Sequence, residues 1–274
     1  MSKKTYPANE IDAAKSVLIE LTHMLGEYRD SIVLVGGWVP EILLTDSAEP
    51  HIGSIDVDLA LDHRKISEPG YKSILQLLQE NGYEQSGDQP FTFLRTVPQS
   101  GANSIVVQVD FLSGEDGGTG RGRRTQRVQE LQPRKARGCD LAFEHNVLVS
   151  LAGRLPSGAR DRVETRVASI PVFITMKGFA LKNRLKEKDA WDIYFCLRNY
   201  PGGISDLAIE FKLLLEIALV QEALSHIAEA FVALDSIGPI FVADFEGVAG
   251  EERELLIRDS YERVNELLRL LSAG

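Results

Sequence analysis

Apolar residues recur at helical spacing over residues 9–28, with Ile11, Val17, Leu18, Leu21 and Leu25 on one side and Asn9 as the expected N-cap. Residues 31–35 form an apolar run that reads as a short buried strand ending at Gly36-Gly37, with a brief helix expected over 38–44. After a loop containing Pro50 and Gly53, apolar and acidic positions alternate from Ile55 to Leu59, the period of a strand. A second amphipathic helix is expected over 68–81, with Ile74, Leu75, Leu77 and Leu78 inward and Gly82 as its stop. Strands follow at 91–97 and 104–112. Residues 114–122 hold too much glycine to order cheaply and read as a mobile loop. One or two more strands are expected between 125 and 168. Beyond Pro171 the pattern is helical throughout: 172–184, 188–199, 205–219, 221–234 and 251–271. The organisation is α+β. A mixed sheet flanked by helices spans residues 1–170, and a helical domain spans 171–274.

The chain of 274 residues carries a formal net charge of −10, which argues against nucleic-acid binding over its whole surface. The basic residues are unevenly placed, however. Arg121, Arg123, Arg124, Arg127, Arg134, Lys135 and Arg137 face a single acid, Glu130, in one stretch, and Lys177, Lys182, Arg184, Lys186 and Lys188 form a second cluster. Either is a solvated face or a local site for a polyanion. Cys139 and Cys196 make neither a disulfide framework nor a metal knuckle. No apolar run approaches the roughly 18 residues that span a bilayer. The opening Met-Ser-Lys-Lys-Thr-Tyr-Pro lacks the apolar core of a secretory signal, so a cytoplasmic chain with no membrane contact is expected.

Candidate chemistry centres on Asp56 and Asp58. At i and i+2 of a strand their carboxylates share a face, where like charges repel unless something separates them. Hard oxygen ligands of this kind suit Mg²⁺, and a solvated strand face is the plain alternative. Gly36-Gly37, between a strand and a helix, admits a phosphate close to the backbone or simply makes a tight turn. Ser54 precedes the acid pair, and Asp110 supplies a third carboxylate at the end of another strand. A glycine turn for a triphosphate, paired acids for metal and a third acid as base are the parts that two-metal phosphoryl transfer needs.

In Gly36-Gly37, Ser54-Ile-Asp-Val-Asp58 and Asp110 the chain resembles the DNA polymerase β-like nucleotidyltransferase superfamily, although the gap between glycines and acids is longer than in its most compact members. The stretch from Lys177 to Phe195, with Lys177, Arg184, Asp189 and Asp192 in order, resembles the signature of the AbiEii/AbiGii-type toxin nucleotidyltransferases. The likeness covers the front domain and reaches about Leu197. It implies a metal-dependent enzyme that moves a nucleoside monophosphate from an NTP to an RNA hydroxyl, in tRNA above all. It also implies two Mg²⁺ ions (or Mn²⁺) on Asp56, Asp58 and Asp110, and a cognate antitoxin protein as partner.

Spacing adds that Lys177 and Arg184 share a helix face, as do Asp189 and Asp192. If that first face meets the cleft, Lys177 reaches the nucleotide and Arg184 adds a phosphate contact or holds an acid. Asp189 doubles as a possible cap, and Asp192 wants Lys177 or Arg184 as partner. Gly36, Gly37, Ser54, Lys177, Arg184 and Asp189 are the expected nucleotide contacts; Asp56, Asp58 and Asp110 are the expected catalytic acids, and the resemblance implies Lys177 and Asp192 as further members of the catalytic set. No P-loop, dinucleotide fingerprint or nucleophile elbow occurs, and the histidines have no metal-ligand spacing. Two rivals remain: the same chemistry on a small cationic acceptor such as an aminoglycoside, which an acidic surface suits, and a non-catalytic binding protein of this fold.

Overall fold

The first helix, α1 (Ala8–Met24), starts one residue before the expected cap. Pro7 is the N-cap, and its carbonyl accepts from Glu10 and Ile11, so Asn9 lies inside the first turn and makes no cap. A 3₁₀ turn, Gly26–Ser31, replaces the expected final turn. These ranges come from a computed structural model that describes residues 5–47, 49–66, 72–99, 103–116, 118 and 123–272.

Chain order continues with β1 (Ile32–Val35), α2 (Trp38–Leu43), β2 (Asp56–Leu61), α3 (Ile74–Glu80), β3 (Tyr83–Gln85), β4 (Thr92–Pro98) and β5 (Ser104–Ser113). Then come β6 (Arg134–Lys135), α4 (Cys139–Glu144), β7 (Asn146–Arg154) and β8 (Arg160–Ala168). The strands form one mixed sheet in the order β3-β4-β5-β2-β1-β8-β7, with β6 beside β5. β2/β5, β1/β8 and β5/β6 are parallel, and the remaining pairs antiparallel. Helix α1 lies on one face, against β2, β4, β5, β7 and β8, and buries Val17, Leu18, Ile19 and Leu21 there. The opposite face receives α4, against β1, β5 and β8.

Helix α3 begins at Ile74, behind a capping box of Ser73 and Gln76; the residues where it was expected to start, 67–71, lie outside those described. Gly82 does follow its end, at φ +76. Of the glycine-rich stretch 114–122, residues 117 and 119–122 also lie outside the description.

The helical part holds α5 (Ile170–Arg184), α6 (Glu187–Asn199), α7 (Gly203–Lys212), α8 (Ala218–Ala230), α9 (Ile237–Glu246) and α10 (Gly250–Ser272). Two expected spans shift: the helix at 205–219 stops at Lys212, and the next starts at Ala218 rather than 221. Helix α9 was not expected, and it contains Gly238 and Pro239, residues that break helix interiors. Both fall in its first turn, where a proline removes no intrahelical hydrogen bond. No helix among the described residues is long and apolar enough to cross a membrane.

The chain divides into two compact units. The sheet unit comprises Tyr6–Val39 and Gly53–Ser169. The helical unit runs from Ile170 onward and takes in Pro40–Ile52, a segment that a single cut at Ile170 leaves with the sheet.

Candidate functional site

In the sheet unit, strand register decides which acids meet. Asp58 of β2 is the direct partner of Asp110 of β5, and Asp56 is the partner of Gln108. Partnered residues of neighbouring strands project from the same face, about 4.8 Å apart along the hydrogen-bonding direction. Asp56, Asp58 and Asp110 therefore occupy adjacent positions on one face. Across β5, Thr92 of β4 partners Asp110, and across β2, Val35 of β1 partners Asp58. The other face carries the matching apolar rows, Val57 with Val109 and Leu59 with Phe111, all buried. Strict alternation keeps the acids out of that core.

Each carboxylate is engaged by the protein. Asp110 is only 9% exposed, so it is not the solvent-facing strand end that its position suggests, and β5 runs on to Ser113. Its Oδ1 accepts from Thr92 Oγ1 at 2.6 Å, and Gln108 Nε2 donates to both its oxygens at 3.1 Å. Ser54 is buried, and its hydroxyl donates to Asp56, so it orients that carboxylate. Asp58 lies against Gly36, where an added Cβ would stand 2.0 Å from the carboxylate oxygen Oδ2. Gly36 also has φ +74, a conformation that L side chains adopt at a cost, so both its backbone and its bare Cα are required here. Gly37 is buried, and α2 begins immediately after it with Trp38 Nε1 donating to the Asp56 carbonyl at 2.9 Å. That bond ties the glycine turn to the start of the acid strand.

The donor set suits a hard divalent cation: three carboxylates on neighbouring positions, each with lone pairs beyond those its protein donors occupy. Among the described residues, however, no group of three or more His, Cys, Asp or Glu is already arranged to hold a metal ion. The backbone brings the three acids to one place, while their side chains are turned toward Thr92, Gln108, Ser54 and Gly36. Thr92 and Gln108 are residues that sequence reading missed. Gln108 was legible, being two positions before Asp110 on the same strand face; Thr92 required knowledge of the β4/β5 register.

In the helical unit, Lys177, Arg184, Asp189 and Asp192 form a second group. Asp189 is not a cap: Lys186 holds that position without a side-chain bond, and Asp189 is fully buried one turn in. Lys177 Nζ lies 2.8 Å from Asp189 Oδ1 and 2.6 Å from Asp192 Oδ2. Arg184 makes a two-pronged contact with Asp189, Nε to Oδ2 and Nη2 to Oδ1, both at 2.7 Å. Lys188 donates to Asp192 Oδ1 at 3.0 Å. His51 Nε2, delivered by the 40–52 segment, stands 2.9 Å from the same oxygen. His51 and Lys188 were not expected here; Lys188, one turn before Asp192, was legible from i,i+4 spacing, whereas His51, 141 residues away, gave no signal.

The titration of this group follows from burial opposed by pairing. Burial alone would raise both acids, but Lys177 and its fellow cations hold Asp189 below the usual carboxylate range and Asp192 well below it. Burial lowers His51 to about 4 against the pull of Asp192, so the imidazole is neutral at pH 7 and donates from Nε2. Lys177 is buried too, yet its two acids raise it above the ordinary lysine value. Three cations thus surround two carboxylates and one neutral imidazole.

No known protein family matches the sequence, and no curated protein matches it. Among solved structures that resemble it is MenT4, a nucleotidyltransferase toxin from Mycobacterium tuberculosis H37Rv. It is 13% identical, with a TM-score of 0.43, and the alignment covers 98% of this chain and 90% of that one.

Proposed function

We propose that this chain is a metal-dependent nucleotidyltransferase, moving a nucleoside monophosphate from an NTP to a hydroxyl of an RNA, tRNA in the first place, and releasing pyrophosphate. The observation that carries the reading is the register of β2 against β5, which sets Asp58 beside Asp110 with Asp56 one face-position away. Asp56, Asp58 and Asp110 are the residues that would hold Mg²⁺ or Mn²⁺, which would supply charge neutralisation for the phosphates and lower the pKa of an attacking hydroxyl.

The chain's own residues do the rest. The Gly36-Gly37 turn admits a phosphate close to its backbone. Ser54 orients Asp56, and Thr92 with Gln108 orients Asp110, which accepts the proton of the acceptor hydroxyl. In the helical unit Arg184, with 45% of its side chain exposed, holds Asp189 by two bonds and keeps part of its guanidinium open to an anion. Lys177 organises Asp189 and Asp192 and lends the group its charge. As the toxin of a toxin–antitoxin pair, such an enzyme works in the cytoplasm and is restrained by a cognate antitoxin protein.

The test incubates the protein with each α-labelled NTP, Mg²⁺ and total tRNA. Label on RNA with pyrophosphate release is the expected result, and Asp58→Asn and Asp110→Asn should each lower the rate by about 10²- to 10³-fold, as loss of a charge-stabilising group does. Label on an added aminoglycoside instead would move the acceptor to the small-molecule class. No transfer and no pyrophosphate under any condition would leave a binding protein.

A further inference from the structure

Residues 124–135 of the sheet unit fold back on themselves as a two-stranded ribbon. Thr125 bridges Arg134 and Val128 bridges Leu131, both antiparallel. Main-chain bonds join Gln126 to Pro133 at 2.9 Å and Lys135 to Arg124 at 2.9 Å. Alternation divides the ribbon into two faces. Gln126, Val128, Leu131 and Pro133 are buried, while Arg123, Arg127, Gln132 and Arg134 on the other face are exposed.

The turn is held firmly. Gln129, at φ +53, accepts from the Ile74 amide at 2.9 Å and donates to the Tyr28 hydroxyl at 3.2 Å. The root is held as well, because β6 pairs with the end of β5, where Leu112 partners Arg134 two residues after Asp110. A basic surface is thus presented by a supported element, close in sequence and in sheet position to a carboxylate of the candidate centre.

Among the described residues, Arg123, Arg124, Arg127 and Arg134 have no carboxylate at ion-pair distance. Arg134 instead places its guanidinium 5.5 Å from the Phe91 ring centre. A cavity of about 440 Å³ opens between Arg123, Arg127, Thr125, Gln126 and Gln132, with Glu130 as its single acid. Arg127 Nε donates to the Gln129 carbonyl at 3.2 Å, which leaves its charge uncompensated. On a chain of net charge −10, an exposed face of guanidinium groups without a carboxylate partner, beside neutral hydrogen-bonding side chains, suits a phosphodiester backbone, not a cationic ligand. The neutral amide of the exposed Gln132 can bond to phosphate and sugar oxygens without repelling them.

We infer that this ribbon is the docking surface for the acceptor nucleic acid, an RNA strand whose phosphates lie along Arg123, Arg127 and Arg134. The inference rests on the nucleotidyl-transfer reading for its acceptor, but the binding itself is measured without turnover.

The experiment measures affinity for tRNA, and for single-stranded DNA of equal length, by fluorescence anisotropy across a salt series. It compares the wild-type protein with Arg123→Ala/Arg127→Ala and with Arg154→Ala/Arg162→Ala, a control of equal charge change on the β7–β8 hairpin. The ribbon variant should lose about ten-fold in tRNA affinity at low salt, and its plot of log affinity against log salt should flatten by about 1.5 to 2. The control should stay near wild type, and all three proteins should melt alike. Equal losses in the two variants, or an unchanged salt slope, would overturn the docking surface, and tighter binding of DNA than of tRNA would overturn RNA as its ligand. Ribbon-dependent binding with no nucleotidyl transfer by the wild-type protein would instead remove the catalytic reading and leave the ribbon standing. Transfer to RNA that is indifferent to the ribbon substitutions would do the reverse.

Discussion

Gly36 shows how one missing side chain supports a site. Its positive φ costs an alanine about 1–2 kcal/mol, and the new Cβ would meet the Asp58 carboxylate at 2.0 Å. The two effects can be separated by comparison with Gly158→Ala, because Gly158 has φ +87 but nothing within 4 Å of an added Cβ. Gly158→Ala should lose about the strain cost on thermal melting, and Gly36→Ala at least as much. Only Gly36→Ala should also lose nucleotidyl transfer, on the order of 10²-fold, since moving a carboxylate by an ångström has effects of that size. Equal activity in the two variants would mean that Asp58 has no catalytic duty. The Asp56/Asp58 pair was legible in the sequence because period 2 fixes its shared face, whereas the place of Asp110 beside it depends on the β2/β5 register. Thr92 was not, since its bond to Asp110 exists only once β4 and β5 have settled their register.

At the scale of elements, α5 and α6 are joined through a buried ionic group whose stability depends on pH in a calculable direction. His51 titrates near 4 in the folded chain and near 6.5 when unfolded. Between those values the unfolded state binds more protons, so stability is complete above about pH 6.5 and falls as pH drops toward 4. The contribution lost over this window is about 3 kcal/mol. Asp192 and Asp189, depressed in the folded state, act in the same sense but below the ordinary carboxylate range. His51→Gln keeps a donor for Asp192 and removes the titration. The variant should therefore show a flatter melting temperature between pH 6.5 and 4 than the wild-type protein. Parallel profiles would show that His51 is not neutral and buried as described. The helical face shared by Lys177 and Arg184 was readable from their spacing, but both side chains converge on Asp189, and the sequence had offered a cap there instead. A carboxylate three residues into a helix looks the same in sequence whether it faces solvent or a buried lysine.

On the scale of the whole molecule, periodicity located most elements, whereas chain topology stayed hidden. Alternation cannot report that Pro40–Ile52 belongs with the helices, because a segment with little regular structure carries no period to read. What fixes it there includes the bond of His51 to Asp192, whose side chains are both completely inaccessible. A hydrogen bond to a charged group contributes about 1.5–3 kcal/mol, and a buried carboxylate deprived of a donor bears a further desolvation cost. A polypeptide starting at Ile170 would thus hold Asp192 without one of its partners. Adding a synthetic peptide of residues 40–52 should raise its melting temperature in a saturable way, by several degrees for a unit of about 100 residues. The same peptide carrying His51→Ala should bind more weakly, by about ten-fold or more. If the native peptide leaves the melting curve unmoved, the segment is not an integral part of the helical unit.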